Sequence, residues 1–297
     1  MGFHATVDML CVGVDPSVLA VAVSGAEADM DVLVVDCREG DFEATAVRST
    51  PPTSWADDMS RAWNADGLSR ETVAYLASLT EGVGSQRSSP ASAVTLRQLD
   101  EGAHRFSTSK RASGRVAPFY GHQLIEWNRA CLGSHYGVLY SRTSVPGARE
   151  IVQRSGERLE VTMVGAAPSP PTSAPLSAWL VDRAGDLGVR VMSSGPLRRL
   201  MFEDGVVIGA VFGSTSSRLA IRANHGVAMS TTAHGGDDRA LTAAWYSTGA
   251  QLGVVSAAAS RFGRLELVMD HAQPASPTLR SQRRTGRTSS VRGNTPR

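Results

Sequence analysis

In this 297-residue chain, Tyr120, His122, Tyr136, Tyr140 and Arg142 form the densest group of side chains capable of chemistry. Phenols and imidazoles can serve as general acids and bases, and a guanidinium can hold an anion. Aromatic residues beside a helix serve packing equally well, with their polar ends reaching a partner. The sequence leaves both roles open for these five. Seven histidines and three cysteines (Cys11, Cys37, Cys131) show no zinc-ligand spacing, so no metal is expected. There is no phosphate-binding GxxxxGK[ST] loop and no GxSxG nucleophile elbow.

The second place with chemical meaning is the turn Gly13-Val14-Asp15-Pro16-Ser17. The apolar run from Val7 to Val12 reads as a buried parallel strand. A small-residue helix follows from Ser17 to about Ala28, then a turn at Asp29-Met30-Asp31. A second apolar strand, Val32 to Val35, ends at Asp36. Strand, turn, helix and strand make one right-handed βαβ unit. The start of its helix presents free N–H groups and a partial positive charge, a natural seat for an anion. Asp15 is a good N-cap and Pro16 suits the first helical position, so the chain's own carboxylate is placed to take that seat.

Further elements must hold these groups in place. Helices are expected from Trp55 to Asn64, from Ser69 to Leu79 and from Gly121 to Cys131, with loops at 82–92 and 102–117. Leu159 to Val164 reads as a strand, followed by a Pro-rich loop at 168–175, a helix from Leu176 to Leu187 and a strand from Val189 to Met192. Val206 to Phe212 and Leu219 to Arg222 read as a hairpin, and Val227 to Met229 as a further strand.

Composition bounds the rest. Apolar residues make up 42% and charged residues 20%, which excludes a disordered chain. The longest apolar run, Val18 to Val23, is far short of the roughly 20 residues of a membrane helix. The formal charge is +2, but residues 271–297 hold six arginines and no acid, leaving −4 on the rest. A basic tail on a mildly acidic body argues against a specific nucleic-acid interface. The tail should be disordered, residues 1–270 forming one α/β domain with a helical and loop insertion at about 45–145. No secretory signal leads the chain, and unpaired cysteines fit a reducing cytoplasm.

With these segments in order, VDMLCVGVDPSVLAVAVSGAEADMDVLVVDC resembles the opening βαβ unit of the FAD-dependent oxidoreductases related to fumarate reductase, succinate dehydrogenase flavoprotein and 3-ketosteroid dehydrogenase. LSAWLVDRAGDLGVRVMSSGPLRRLMFEDGVVIGAVFGSTSSRLAIRANHGVAMST is similar to that family's next block, which closes near an ATGG-like turn. The resemblance implies a Rossmann-like fold with a mainly parallel sheet and a small antiparallel hairpin. It implies FAD as cofactor, with Gly13 at the diphosphate turn, Asp36 at the adenosine ribose and Leu197 main chain near the adenine. Thr231, Gly235 and Gly236 would lie along the dinucleotide, and His234 in that turn is a further proton-donor candidate.

The departures carry equal weight. The family's turn reads GxGxxG, with its second glycine admitting the pyrophosphate and its third allowing close helix packing. Here those positions are Asp15 and Val18. Ketosteroid dehydrogenases of the family use tyrosines as acid and base, and fumarate reductases use Arg and His. None of the five residues above falls in a motif that aligns. Only about 35 residues separate Gly236 from the basic tail, so the family's substrate cap and return segment have no evident counterpart. Two functions follow as expectations. One is hydride transfer between FAD and a C–C bond of an apolar, steroid-like substrate, with an impaired cofactor site. The other is a non-catalytic scaffold working through a protein partner or as a homo-oligomer.

Overall fold

Apolar runs flanking a single small-residue helix set the architecture. The computed structural model describes residues 2–37, 54–65, 67–84, 95–100, 118–143, 147–167, 175–214, 217–232 and 238–270. β1 (Ala5–Val12), α1 (Pro16–Glu27) and β2 (Val32–Asp36) form the expected βαβ unit. The first ten residues of α1 are buried, and a Cβ on Gly25 would stand 3.0 Å from Val32. A helix this close to its strands is built mostly from Ala, Val, Ser and Gly, with Leu19 also buried in it.

α2 (Trp55–Ala62) and α3 (Arg70–Thr80) follow, each capped by a serine hydroxyl, Ser54 and Ser69. Next come β3 (Leu96–Leu99), α4 (Pro118–Leu132), β4 (Gly137–Tyr140), β5 (Arg149–Val152) and β6 (Arg158–Ala166). α5 (Leu176–Asp186), β7 (Arg190–Ser193), β8 (Leu197–Glu203), β9 (Val206–Gly213) and β10 (Arg218–Ser230) lead to α6 (Asp238–Thr248), β11 (Gln251–Ala257) and β12 (Phe262–Asp270).

The described strands join in one sheet, ordered β5-β6-β11-β12-β4-β10-β1-β2-β7, with β3 beside β12 and β9 linking β8 to β10. The expectation of a mainly parallel sheet is corrected. Parallel pairing is confined to β10-β1-β2-β7 and to β12-β3, and the other pairs are antiparallel. The reason lies in the connections. The turns after β5, β8 and β11 are too short for a crossover, which needs about a dozen residues, so those strands must reverse. The hairpin read at 206–222 is real, but β8 adds a third strand. Val227 to Met229 continues the same long strand past Gly226.

The range 45–145 also contributes β3 and β4 to the sheet. The loop at 102–117, most of the loops at 82–92 and 168–175, and the tail from 271 lie outside the described residues. Two apolar layers cover the sheet. One gathers α2, α3, α4 and the β8-β9 strands, with Trp55, Met59, Trp63 and Phe212; the other gathers α1, α5 and α6, with Trp245.

One ion cluster ties the far part of the sheet. Glu266 on β12, fully buried, accepts from Arg97 of β3 and from Arg264, and both guanidiniums lie over the Trp127 ring. Removing the carboxylate takes this partner from two mostly buried cations and leaves Arg97 its 3.4 Å contact with the more exposed Glu157. Glu266→Ala should therefore cost about 3 kcal/mol. A urea titration would show it as a lower midpoint with unchanged slope.

Candidate functional site

Ligands of open α/β sheets bind outside the carboxyl ends of the parallel strands, where strand order reverses. In this chain that place is where β1 ends at Val12 beside β10, which ends at Ser230. Gly13 follows β1 with φ +110°, and its N–H donates to Val35 of β2 at 2.9 Å. A glycine suits this backbone conformation, which residues with a side chain rarely adopt.

The next position changes the chemistry. Asp15 is the N-cap of α1, in extended conformation, with Pro16 at the first helical position. Its Oδ1 accepts from Ser17 N at 3.0 Å and from Val18 N at 3.3 Å, and the Ser17 hydroxyl donates to the same oxygen. Its Oδ2 lies 3.3 Å from where a Cβ on Gly13 would stand, in the space beside the glycine. The expected self-cap is therefore what the structure contains. Burial raises the Asp15 carboxyl above its ordinary value, against the opposing pull of the Ser17 and Ser230 hydroxyls and the two amides. Val18, in place of the third glycine, is fully buried.

The walls come from β4 and β10. The Ser17 hydroxyl also donates to Gly137 O at 3.1 Å, and Thr231 N donates to that carbonyl at 3.3 Å. Gly137 must be glycine, because a Cβ there would overlap Thr231 Oγ1 and Cys131 O. Thr231 is 1% exposed, and its Oγ1 has no hydrogen-bond partner among the described residues. Asp36 ends β2, half-buried, with its carbonyl accepting from Ser194 N at 3.2 Å. Leu197 is fully buried, and its N–H donates to Trp63 O at 3.1 Å.

Gly13, Asp15 and Thr231 thus surround one turn, while Asp36 and Leu197 stand at β2 and β8 on its flank. Gly235, Gly236 and His234, and the side chain of Tyr120, lie outside the described residues. The remaining acid–base candidates do not converge. His122 and Arg142 are exposed, and His122 pairs with Glu126 of its own helix at 3.1 Å. Tyr136 and Tyr140 are buried in the α1 layer. Burial pushes the Tyr140 phenol well above its ordinary pKa, which suits a packing residue. Among the described residues no group of three His, Cys, Asp or Glu could hold a metal ion, and no helix is long and apolar enough to cross a membrane. An open groove of about 470 Å³ lies elsewhere, lined by Arg97, Asp100, Arg154 and Glu157, with Arg97 already held by Glu157 and Glu266.

Sequence reading missed Trp63, whose indole N–H donates to Ser230 O at 2.9 Å. The available signal was the Trp55, Met59, Trp63 spacing along one face of α2. It also missed Ser17 and Ser230 as partners of Asp15.

Residues 19–292 match the family model described as "FAD binding domain", a span starting one residue after Val18. No curated protein matches the chain. Among solved structures, 3-ketosteroid-Δ4-(5α)-dehydrogenase from Rhodococcus jostii, in complex with 4-androstene-3,17-dione, is 18% identical with a TM-score of 0.30, covering 76% of this chain and 46% of that one. The 3-ketosteroid Δ1-dehydrogenase from Sterolibacterium denitrificans is 13% identical with a TM-score of 0.28, covering 75% and 47%. A geranylgeranyl bacteriochlorophyll reductase-like protein from Thermoplasma acidophilum is 13% identical with a TM-score of 0.26, covering 74% and 38%. The chain spans less than half the length of each.

The raised Asp15 pKa gives a pH signature. The folded chain binds this proton more tightly than the unfolded chain, so the contribution is present at low pH and lost as pH rises through the folded pKa. Asp15→Asn keeps an oxygen for the two amides and cannot titrate. The urea midpoint of wild type, taken relative to Asp15→Asn, should rise as pH falls from neutral through the carboxylate range. A gap that moves the other way would mean the carboxylate is stabilised in its charged form.

Proposed function

The chain belongs to the FAD binding domain family, and from that premise we propose that it is a self-capped member that holds FAD weakly or not at all. Its role is then that of a binding protein acting through a partner. The observation carrying this reading is the Asp15 carboxylate on the amides of Ser17 and Val18. FAD would need its diphosphate at those amides and against Gly13, where Asp15 Oδ2 lies. Two unit charges 4 Å apart repel by about 4 kcal/mol at an effective dielectric of 20, before the lost cap is counted. The residues at the turn do not fit the diphosphate in this arrangement.

A second reading is an FAD-dependent oxidoreductase acting on an apolar, steroid-like substrate. The family match favours it, as does the buried, unpartnered Thr231 hydroxyl beside the turn. It requires Asp15 to leave the helix end or to carry a proton.

Titrating FAD while following the melting temperature separates the two. Wild type should not shift and should purify without flavin absorbance. Asp15→Gly with Val18→Gly should gain binding, reaching about 2.7 kcal/mol of stabilisation when FAD is 100-fold above its Kd. Without ligand the double variant should be less stable, since a glycine inside a helix costs about 0.5–1 kcal/mol. Flavin co-purifying with wild type would sink the self-capping proposal and leave the oxidoreductase reading.

A further inference from the structure

Arg97 and Arg264 share one buried carboxylate. Both guanidiniums donate to Glu266, which is fully buried, and both lie over the Trp127 ring. Their side chains are only 14% and 16% exposed. Two cations on one anion leave a positive surplus in a mostly buried place, where charge is poorly screened. The open groove of about 470 Å³ between β3 and the turn joining β5 to β6 is lined by Arg97.

A guanidinium carries five N–H donors. Arg97 directs Nε and Nη2 at Glu266, whereas Nη1 meets Glu157 at 3.4 Å, longer than the roughly 2.7–2.9 Å of a charge-assisted bond. The Glu157 side chain is 42% exposed and can turn out into solvent. Arg154, exposed on the same rim, adds a second guanidinium. Asp100 is the other acid lining the groove, and its Oδ2 accepts from Arg154 N at 2.6 Å. Gln153 pins the two walls together, its side-chain amide donating to Gln98 O at 3.1 Å and accepting from Asp100 N at 3.0 Å. Exposed Leu96 places an apolar side chain beside these groups.

We propose that this groove binds a small carboxylic acid carrying an apolar group. The carboxylate takes Nη1 of Arg97 in place of Glu157, and the apolar part lies against Leu96. A planar carboxylate matches the fork of a guanidinium that is held from behind. The volume falls within the roughly 300–1,000 Å³ of small-ligand sites. None of these residues belongs to the α1 turn, so the groove and the FAD question are tested separately.

Benzoate is the probe, and benzamide, of the same shape without the charge, is its control. In an NMR titration of the whole chain at neutral pH, the Arg97 Nε–H and the amides of Gln98 and Ser155 should shift with benzoate along one saturable curve. Benzamide should leave them still, and the Ser17 and Val18 amides should ignore both. Glu157→Gln removes the competing charge and should tighten benzoate binding by roughly two- to fivefold, the worth of a partly exposed ion pair. Arg154→Gln should weaken it by a similar factor. Both positions reach solvent, so both variants should fold. Benzamide binding as well as benzoate would overturn the proposal. So would shifts confined to Ser17 and Val18, no saturable shift at all, or an affinity that Glu157→Gln leaves unchanged or lowers.

Discussion

The first turn of α1 carries N–H groups that no helical carbonyl can accept, and they lie buried where two parallel strands end. Something must satisfy them. Phosphate oxygens of a dinucleotide are one solution, and a carboxylate two residues after Gly13 is another. The chain has adopted the second. Asp15 takes the amides of Ser17 and Val18, and Ser17 in turn holds Gly137 at the start of β4. The helix end, the β1 turn and the antiparallel half of the sheet are therefore fastened through two side chains, Asp15 and Ser17. Val18 stands fully buried at the third position, the one where the motif's glycine serves close packing of helix on strand.

This constraint also shapes what surrounds it. The parallel strands β10, β1, β2 and β7 present their carboxyl ends on one rim, and short reversing turns attach the antiparallel strands beside them. The rim is covered from the other layer by α2, whose terminal Trp63 bonds the ends of β8 and β10. The groups a dinucleotide would address are in large part already engaged by the chain itself. Among the described residues Thr231 Oγ1 is an exception, buried and without a hydrogen-bond partner.

Local chemistry was legible in the sequence, and long-range geometry was not. Asp15-Pro16 announces a capped helix because capping acts over three residues, and the order of apolar runs gave β1, α1 and β2 directly. Strand direction in the second half depends on whether a connection can cross over. The apolar content of β11 and β12 carries no trace of that, so a mainly parallel sheet was the wrong expectation. Trp63 escaped for a related reason. Its spacing with Trp55 and Met59 marks a core face, but the two main-chain groups it meets lie more than a hundred residues away. The tyrosines and His122 drew attention by their chemistry, whereas burial in a packed layer or exposure on a helix decides their roles.

The central claim is that Asp15, and not a bound anion, holds the amino end of α1. Amide chemical shifts of Ser17 and Val18 report on it directly, followed through a pH titration and then through added pyrophosphate at neutral pH. The account predicts that both amides move together as Asp15 titrates, with a midpoint above that of an ordinary carboxylate, and stay still when pyrophosphate is added. Amides that ignore the carboxylate range yet move with pyrophosphate at neutral pH would contradict it.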